Sequence, residues 1–263
     1  MLSALGEPDP KGFLAKAEAF GAGGFIESPL SLKLLHTAVS GGGAWPKTRF
    51  DLFGSAIVKL AYERNEEHKW TERHSHDSIL ATAADACLLL LASGAKAIWR
   101  SNDEPPLSED AGAYLTVHEL QLDRTLLRDT LDTALFRGEG EAFEPMHRTV
   151  AEYLASQALA QAVTGSRDRA ALPLSRAIAL VAGNDGAPPT ELRGLYAWFA
   201  AHLAKLGDED GAMRLIEADA VTVLASATPP CSARRRGEQS SPNLTATTRT
   251  FARPRSASPP SAA

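Results

Sequence analysis

The chain has 263 residues, of which 44% are hydrophobic and 22% charged, and its formal net charge is −5. This length and composition are typical of a folded globular protein with one large or two small domains. Residues 225–263 hold six arginines and one glutamate, a net charge of +5, so the rest of the chain carries −10. A body this acidic is a poor match for nucleic acid, because cationic side chains must neutralise the phosphates.

The two cysteines of the chain, Cys87 and Cys231, are too few for a disulfide framework and suit a reducing compartment. The first nine residues lack the basic and apolar regions of a signal peptide. The longest uninterrupted apolar run, residues 86–92, is far too short to span a bilayer. We therefore expect a cytoplasmic protein that has no membrane partner.

Two helices are predicted at the start of the chain. The first covers residues 9–21, and its apolar side carries Phe13, Leu14, Ala17 and Phe20. The second helix is predicted to begin at Pro29, because the first helical position leaves its N–H unsatisfied and proline has no N–H there. Ser28 is the predicted N-cap. The apolar face of this second helix consists of Leu30, Leu34, Leu35 and Ala38.

The stretch from 41 to 48, Gly-Gly-Gly-Ala-Trp-Pro-Lys-Thr, has some features of a phosphate-binding loop. Pro46 occupies the place of the last glycine in the pattern Gly-x-x-x-x-Gly-Lys-Thr, and proline has no N–H to offer a phosphate. We interpret the stretch as a linker, in which Thr48 and Asp51 cap a third helix that runs to about Glu67.

A histidine-rich loop follows this third helix. The loop contains residues of the types that can bind a metal: His68, His74 and His76, with Glu72 and Asp77 nearby. Their spacing fits no standard site, and no cysteine accompanies them. We therefore expect a solvated polar loop and no metal.

The middle of the chain has the element order of a winged helix. A long helix is predicted over residues 79–99, and shorter helices over residues 117–120 and 124–135. A glycine-rich turn then joins two strands within residues 135–147, and all predicted strand is confined to this hairpin.

The segment after the hairpin predicts a helix with a histidine at its start. Thr149 and Glu152 have the spacing of a capping box ahead of an apolar stripe. His147 is thus expected between a hairpin and a helix N-terminus, where backbone N–H groups converge and the helix dipole favours an anion. These residues alone leave two interpretations open: an anion site, or a capped surface helix with an incidental histidine.

Three segments together resemble the lid region of STAND NTPases, the signalling ATPases that include the NACHT and NB-ARC groups. They are Met146-His147-Arg148 after the hairpin, Pro29 at the start of a helix, and the run from Pro46 to Phe53. The resemblance implies a small helical domain followed by a winged helix. It also implies that His147 contacts the β-phosphate of bound ADP and that Pro29 packs on the adenine ring. Arg148 stands where the Met-His-Asp form of the motif has aspartate.

The last hundred residues change character twice. Helix pairs of the kind found in α-solenoids are predicted over residues 174–182, 190–206 and 209–224. Residues 226–263 are rich in Ser, Thr, Pro, Ala and Arg and predict a disordered tail. Two interpretations of this break stay open: a genuine tail, or the product of a truncated or frameshifted gene.

The predicted fold is mainly α, with four parts: a small helical domain (1–77), a winged-helix-like domain with one short β-hairpin (78–165), solenoid-like helices (166–225) and the tail (226–263). The sequence contains no phosphate loop and no acidic strand for Mg²⁺, so we expect no enzymatic activity from the chain by itself. The resemblance implies ADP or ATP binding only together with an upstream ATPase core. That core or another protein is the expected partner, and a homo-oligomer is expected of the intact protein.

Two other functions stay open. One is a stand-alone helical protein-interaction module with no nucleotide role. The other is a winged-helix DNA-binding regulator, whose recognition helix would be residues 124–135. That segment contains two acidic residues, Asp129 and Asp132, and two basic residues, Arg124 and Arg128. We therefore predict an acidic exposed face there and no nucleic-acid partner.

Overall fold

The computed structural model describes residues 1–20, 26, 29–40, 42, 44–62, 74–105, 114–165, 170–183 and 186–227. These residues belong to one compact unit, Met1–Cys231. Helices dominate the described residues and a small four-stranded sheet accompanies them, so the predicted mainly α fold is confirmed. The predicted domain boundaries inside this unit, after residues 77 and 165, stay predictions.

The N-terminal helices begin where the sequence predicts. They are α1 Pro10–Ala19, α2 Pro29–Val39 and α3 Arg49–Tyr62, and a short 3-10 helix that the sequence did not predict, Leu2–Leu5, precedes them. The Thr48 hydroxyl accepts a hydrogen bond from the backbone N–H of Asp51 at 3.1 Å, which confirms the predicted cap of α3. The predicted N-cap Ser28 and the predicted end of α3 near Glu67 lie outside the described residues.

The central helix α4, His76–Ser93, is shorter than predicted. Gly94 adopts a left-handed conformation with φ 73° and ends the helix, so the prediction that it continues to Trp99 is wrong. The helix packs against α5 and α6 and buries Ile79, Ala83, Cys87 and Leu90. It is the one helix in the described part of the chain with the length and apolar composition to cross a membrane, a test that core helices also pass.

The sheet contains the predicted hairpin and two strands that the sequence analysis did not predict. The strands are β1 Ala97–Trp99, β2 Tyr114–Thr116, β3 Phe136–Glu139 and β4 Ala142–Pro145, in the order β2-β1-β4-β3. Strand β1 is parallel to β2 and antiparallel to β4. The hairpin is confirmed, but the prediction that strand is confined to it is wrong. Three-residue strands are too short to display the alternation that identifies a strand in a sequence.

The helices on either side of the hairpin are α5 Arg124–Leu131 and α6 Arg148–Thr164. Helix α5 ends before the predicted Leu135, and residues 117–120 form a turn rather than the predicted helix. The N-cap of α6 is His147, so the predicted Thr149–Glu152 capping box is wrong. Thr149 already lies within the first turn, and the Glu152 carboxylate accepts a hydrogen bond from Arg148 instead.

The C-terminal helices are α7 Leu174–Ala182, α8 Arg193–Lys205, α9 Glu209–Ala218 and α10 Ala220–Ala227, with a 3-10 turn Thr190–Leu192 before α8. Helix α7 has the predicted bounds. The predicted helix 209–224 is broken at Asp219, whose carboxylate accepts from the N–H of Thr222 at 3.0 Å and starts α10. Helix α10 extends two residues into the predicted tail, and residues 228–263 of that tail lie outside the described residues.

An aromatic junction joins three of these helices. It consists of Phe50 and Phe53 from α3, Tyr153 from α6, and Trp198 and His202 from α8, with ring centroids between 4.6 and 6.3 Å apart. Offset and edge-to-face contacts of this kind add to the apolar area that the rings bury. Tyr153 connects the aromatic junction to the N-terminal half of α6, the helix that follows His147.

Candidate functional site

His147 lies between β4 and α6 and is exposed. Its ring Nδ1 accepts a hydrogen bond from the backbone N–H of Thr149 at 3.1 Å. A ring nitrogen that accepts carries no proton, so the neutral tautomer with its proton on Nε2 fits this bond. Partial burial and the nearby charge of Arg137 both lower the pKa of His147. The imidazole is thus neutral at pH 7 and offers one N–H donor.

A groove of about 390 Å³ opens beside this imidazole, and we call it the basic groove. Three cationic side chains line it, Lys96, Arg137 and Arg148, and Glu144 is the one carboxylate among its described lining residues. Arg137 and Glu144 face each other across the hairpin, with Nη2 and Oε1 3.0 Å apart. The groove therefore has an excess of positive charge, although the chain outside residues 225–263 carries a net charge of −10.

The N-terminus of α6 adds to this positive charge. The helix has 17 residues, and its first residues, Arg148 and Ala151, line the basic groove. Aligned peptide dipoles place a partial positive charge at such an end. Together with the donor on His147, the arrangement suits an anion such as a phosphate group. Among the described lining residues there is neither a pair of carboxylates nor a nucleophile paired with a base that could catalyse hydrolysis.

Pro29, the other predicted site residue, lies elsewhere. It is exposed at the first position of α2, a helix that packs against α3 and the 3-10 helix Leu2–Leu5. The described residues that line the basic groove come from α4, the turn after it, β3, β4 and α6. The structure therefore does not bring Pro29 and His147 into the same groove.

Sequence reasoning missed Lys96, Arg137 and Glu144 as lining residues of the groove. The hairpin register pairs Arg137 with Glu144, so the two-residue turn between the strands could have placed both beside His147. Lys96 immediately precedes β1, the strand that pairs with β4, and its position depends on that pairing. The sequence carried no signal for it, because β1 was itself assigned to a helix.

The surface of α5 differs from the prediction. Its exposed residues are Arg124, Thr125 and Arg128, so the prediction of an acidic exposed face on this helix is wrong. The carboxylates lie at its ends or in ion pairs: Asp123 is the N-cap, and Asp129 lies 2.9 Å from the ring of His74.

Arg128 of α5 opens onto a polar groove of about 500 Å³. Carboxylates outnumber the guanidinium groups there; the charged lining residues are Arg100, Asp103, Arg128, Asp132 and Glu141. Arg100 is already paired, with Asp132 at 3.4 Å and Glu141 at 3.1 Å. The exposed arginines of α5 are thus part of a mixed surface and not of a continuous basic patch.

The histidine-rich loop is only partly described. His74 pairs with Asp129, whereas His68 and Glu72 lie outside the described residues. Over the described ranges, no group of three His, Cys, Asp or Glu side chains is placed to hold a metal ion.

Neither a family model, nor a curated protein, nor a solved structure matches the chain. The resemblance to STAND NTPases therefore stays a prediction that rests on the residues quoted for it.

Proposed function

We propose that this chain is the nucleotide-sensing lid of a STAND- or NACHT-like signalling NTPase and acts as its regulatory and oligomerisation module. The observation that carries the proposal is the setting of His147. It offers a neutral imidazole donor at the N-terminus of α6, beside a groove with three cationic side chains. A phosphate group is the ligand that such a setting favours.

The order of elements around the basic groove supports a winged-helix-like arrangement. Helix α4 is followed by β1, α5 and the hairpin β3–β4, and β1 pairs with β4. In the described residues, a turn and strand β2 take the place of the second predicted helix. The arrangement keeps the hairpin and the following histidine together, which is the feature that the proposed lid requires.

The lid works by differential binding. In the complete nucleotide site, an ATPase core supplies the phosphate loop and the Mg²⁺ ligands, and the chain supplies His147 and the charge of the basic groove. Pro29, exposed on α2, is available to pack on an adenine ring. If ADP contacts both parts and ATP contacts them differently, exchange of the nucleotide shifts the lid between closed and open states. The helices α7 to α10 would then be the first part of a sensor array.

A specific observation favours a second function, a protein-interaction module without a nucleotide role. Val221 and Leu224 on α10 are 79% and 59% exposed, which is unusual for two large apolar residues one turn apart. An interaction module would bind its partner through such a surface whether or not His147 is present. Whether binding depends on His147 therefore distinguishes the nucleotide-sensing lid from the interaction module.

The proposal is tested by fusing a phosphate-loop ATPase core upstream of Met1 and measuring ADP binding by calorimetry. The fusion should bind ADP more tightly than the core alone, because the lid adds phosphate contacts. The unfused chain should not hydrolyse ATP. Equal ADP affinities of the fusion and the isolated core would contradict the proposal.

A further inference from the structure

Arg148 contacts two parts of the molecule at once. Its side chain lines the basic groove beside His147. Its Nε donates to Oε1 of Glu152 at 3.1 Å, and its Nη2 donates to the carbonyl of Glu191 in the 3-10 turn before α8. One guanidinium group is thus shared between the groove and the start of α8.

Glu152 lies at the contact between α6 and α8. Its side chain is 12% exposed, compared with 52% for Arg148. Burial raises the pKa of the Glu152 carboxyl, and the neighbouring Arg148 and Arg49 lower it. Helix α8 approaches so closely at Gly194 that a Cβ there would overlap the Glu152 carboxylate. A carboxylate in this position has little water around it and depends on its cationic neighbours.

Arg49 is the second cation at this contact. Its guanidinium lies over the rings of Phe53 and Trp198, 5.6 and 5.4 Å from their centroids. Burial lowers the pKa of Arg49, and the charge of Glu152 raises it. Glu152 is therefore connected to the turn before α8 through Arg148, and Arg49 of α3 adds a second positive charge that acts on it.

We propose that Arg148 and Glu152 are positioning residues that couple the basic groove to the packing of α8. This coupling rests on the proposed function only for the identity of the anion that binds in the groove. An anion there competes with Glu152 and the Glu191 carbonyl for the Arg148 guanidinium. When Arg148 turns to the anion, Glu152 loses one of its neutralising partners at a close helix contact, and the first turn of α8 loosens. Occupancy of the groove is thereby transmitted to α8.

Hydrogen exchange over residues 190–197 of the full chain tests this coupling. Arg148→Met keeps the aliphatic stem but removes the charge, and exchange should become about tenfold faster because a buried carboxylate loses its partner. In Glu152→Gln, the amides of residues 190–197 should exchange at close to the wild-type rate. The double variant Arg148→Met/Glu152→Gln should recover most of the slow exchange, because position 152 no longer carries a charge to neutralise, and the part that is not recovered measures the lost hydrogen bond to the Glu191 carbonyl. Arg176→Met, on an exposed position of α7, is the matched control and should change nothing.

Two results with these variants would overturn the coupling. Unchanged exchange in Arg148→Met would show that the guanidinium does not hold the start of α8. Faster exchange that the second substitution does not reverse at all would show that Arg148 acts through its hydrogen bond to the Glu191 carbonyl and not through the charge of Glu152.

Inorganic pyrophosphate separates the coupling from the proposed function. At millimolar concentration it should speed exchange over residues 190–197 in the wild type but not in the double variant. Pyrophosphate that shifts the NMR signals of the His147 ring without changing this exchange would overturn the coupling. Pyrophosphate that shifts neither would show that the groove of the chain by itself binds no anion and would overturn the coupling, whereas the proposed function is decided by ADP binding to the fused chain. Whether removing the Glu152 charge reverses the effect of Arg148→Met is measured with the variants alone, without pyrophosphate.

Discussion

The imidazole of His202 packs edge-on against the ring of Tyr153, with centroids 4.6 Å apart and ring planes at 68°. His202 is 4% exposed, and its Nε2 is buried without a hydrogen-bond partner among the described residues. A buried ring nitrogen of this kind penalises the charged form, and burial lowers the pKa of His202 to about 4. The contact between α6 and α8 therefore contains a group that must stay neutral.

Acid should destabilise the protein through His202. The unfolded chain binds a proton at this histidine below pH 6.5, whereas the folded chain does so only near pH 4, so the stability contributed by the neutral ring is lost as pH falls between these values. The expected loss between pH 7.5 and 4.5 is about 2.5 kcal/mol. His202→Gln should be less stable at pH 7 but lose less stability on acidification. Parallel curves of stability against pH for the two proteins, from urea unfolding, would show that His202 does not titrate as described.

Two threonines at predicted helix caps should behave differently when replaced by alanine. Thr48 accepts from the N–H of Asp51 at the start of α3, so Thr48→Ala should cost about 1 kcal/mol of unfolding free energy. Thr149 lies inside the first turn of α6, where His147 provides the cap, so Thr149→Ala should change stability by less than about 0.5 kcal/mol. Thermal or urea unfolding of the two variants measures the difference. A larger effect at Thr149 would restore the capping box that the sequence suggested.

Duplex DNA should not bind the chain once the basic tail is removed. A variant ending at Ala227 lacks all six tail arginines and keeps the mixed surface around Arg128. At physiological salt it should show no fluorescence-anisotropy change with a labelled duplex, whereas the full chain should show only weak binding that salt abolishes. Micromolar, salt-sensitive binding by the shortened chain would revive the DNA-binding interpretation. Arg128→Gln would then locate the contact.

The sequence predicted those elements whose signals are local. The start of α2 at Pro29, the cap at Thr48, the bounds of α7 and the hairpin before His147 all follow from proline, threonine, glycine or apolar spacing within a few residues. Strand β1 was assigned to a helix because its three apolar residues closely follow the apolar stripe of α4, and only its pairing with β2 and β4 distinguishes it. Local signals place helix starts well, but they do not reveal short strands that exist through tertiary pairing.

The candidate site shows the same division. His147 was identified from its position after a hairpin and before a helix. Its role as the N-cap was not identified, because the Thr149–Glu152 spacing suggested a competing start two residues later. The role of Glu152 was also not identified, because its contact with Gly194 depends on the approach of α8, more than 40 residues away in sequence.

The most direct test of the account is the effect of His147→Ala on ADP affinity in the chain fused to an upstream ATPase core. Removing a neutral or charge-assisted phosphate contact costs about 1–3 kcal/mol, so the dissociation constant for ADP should rise roughly tenfold or more. His118→Ala, which removes an exposed histidine outside the basic groove, is the matched control and should leave it unchanged. We expect a roughly tenfold loss of ADP affinity in His147→Ala and none in His118→Ala. ADP affinities that are equal in the fused wild type and in both variants would contradict it.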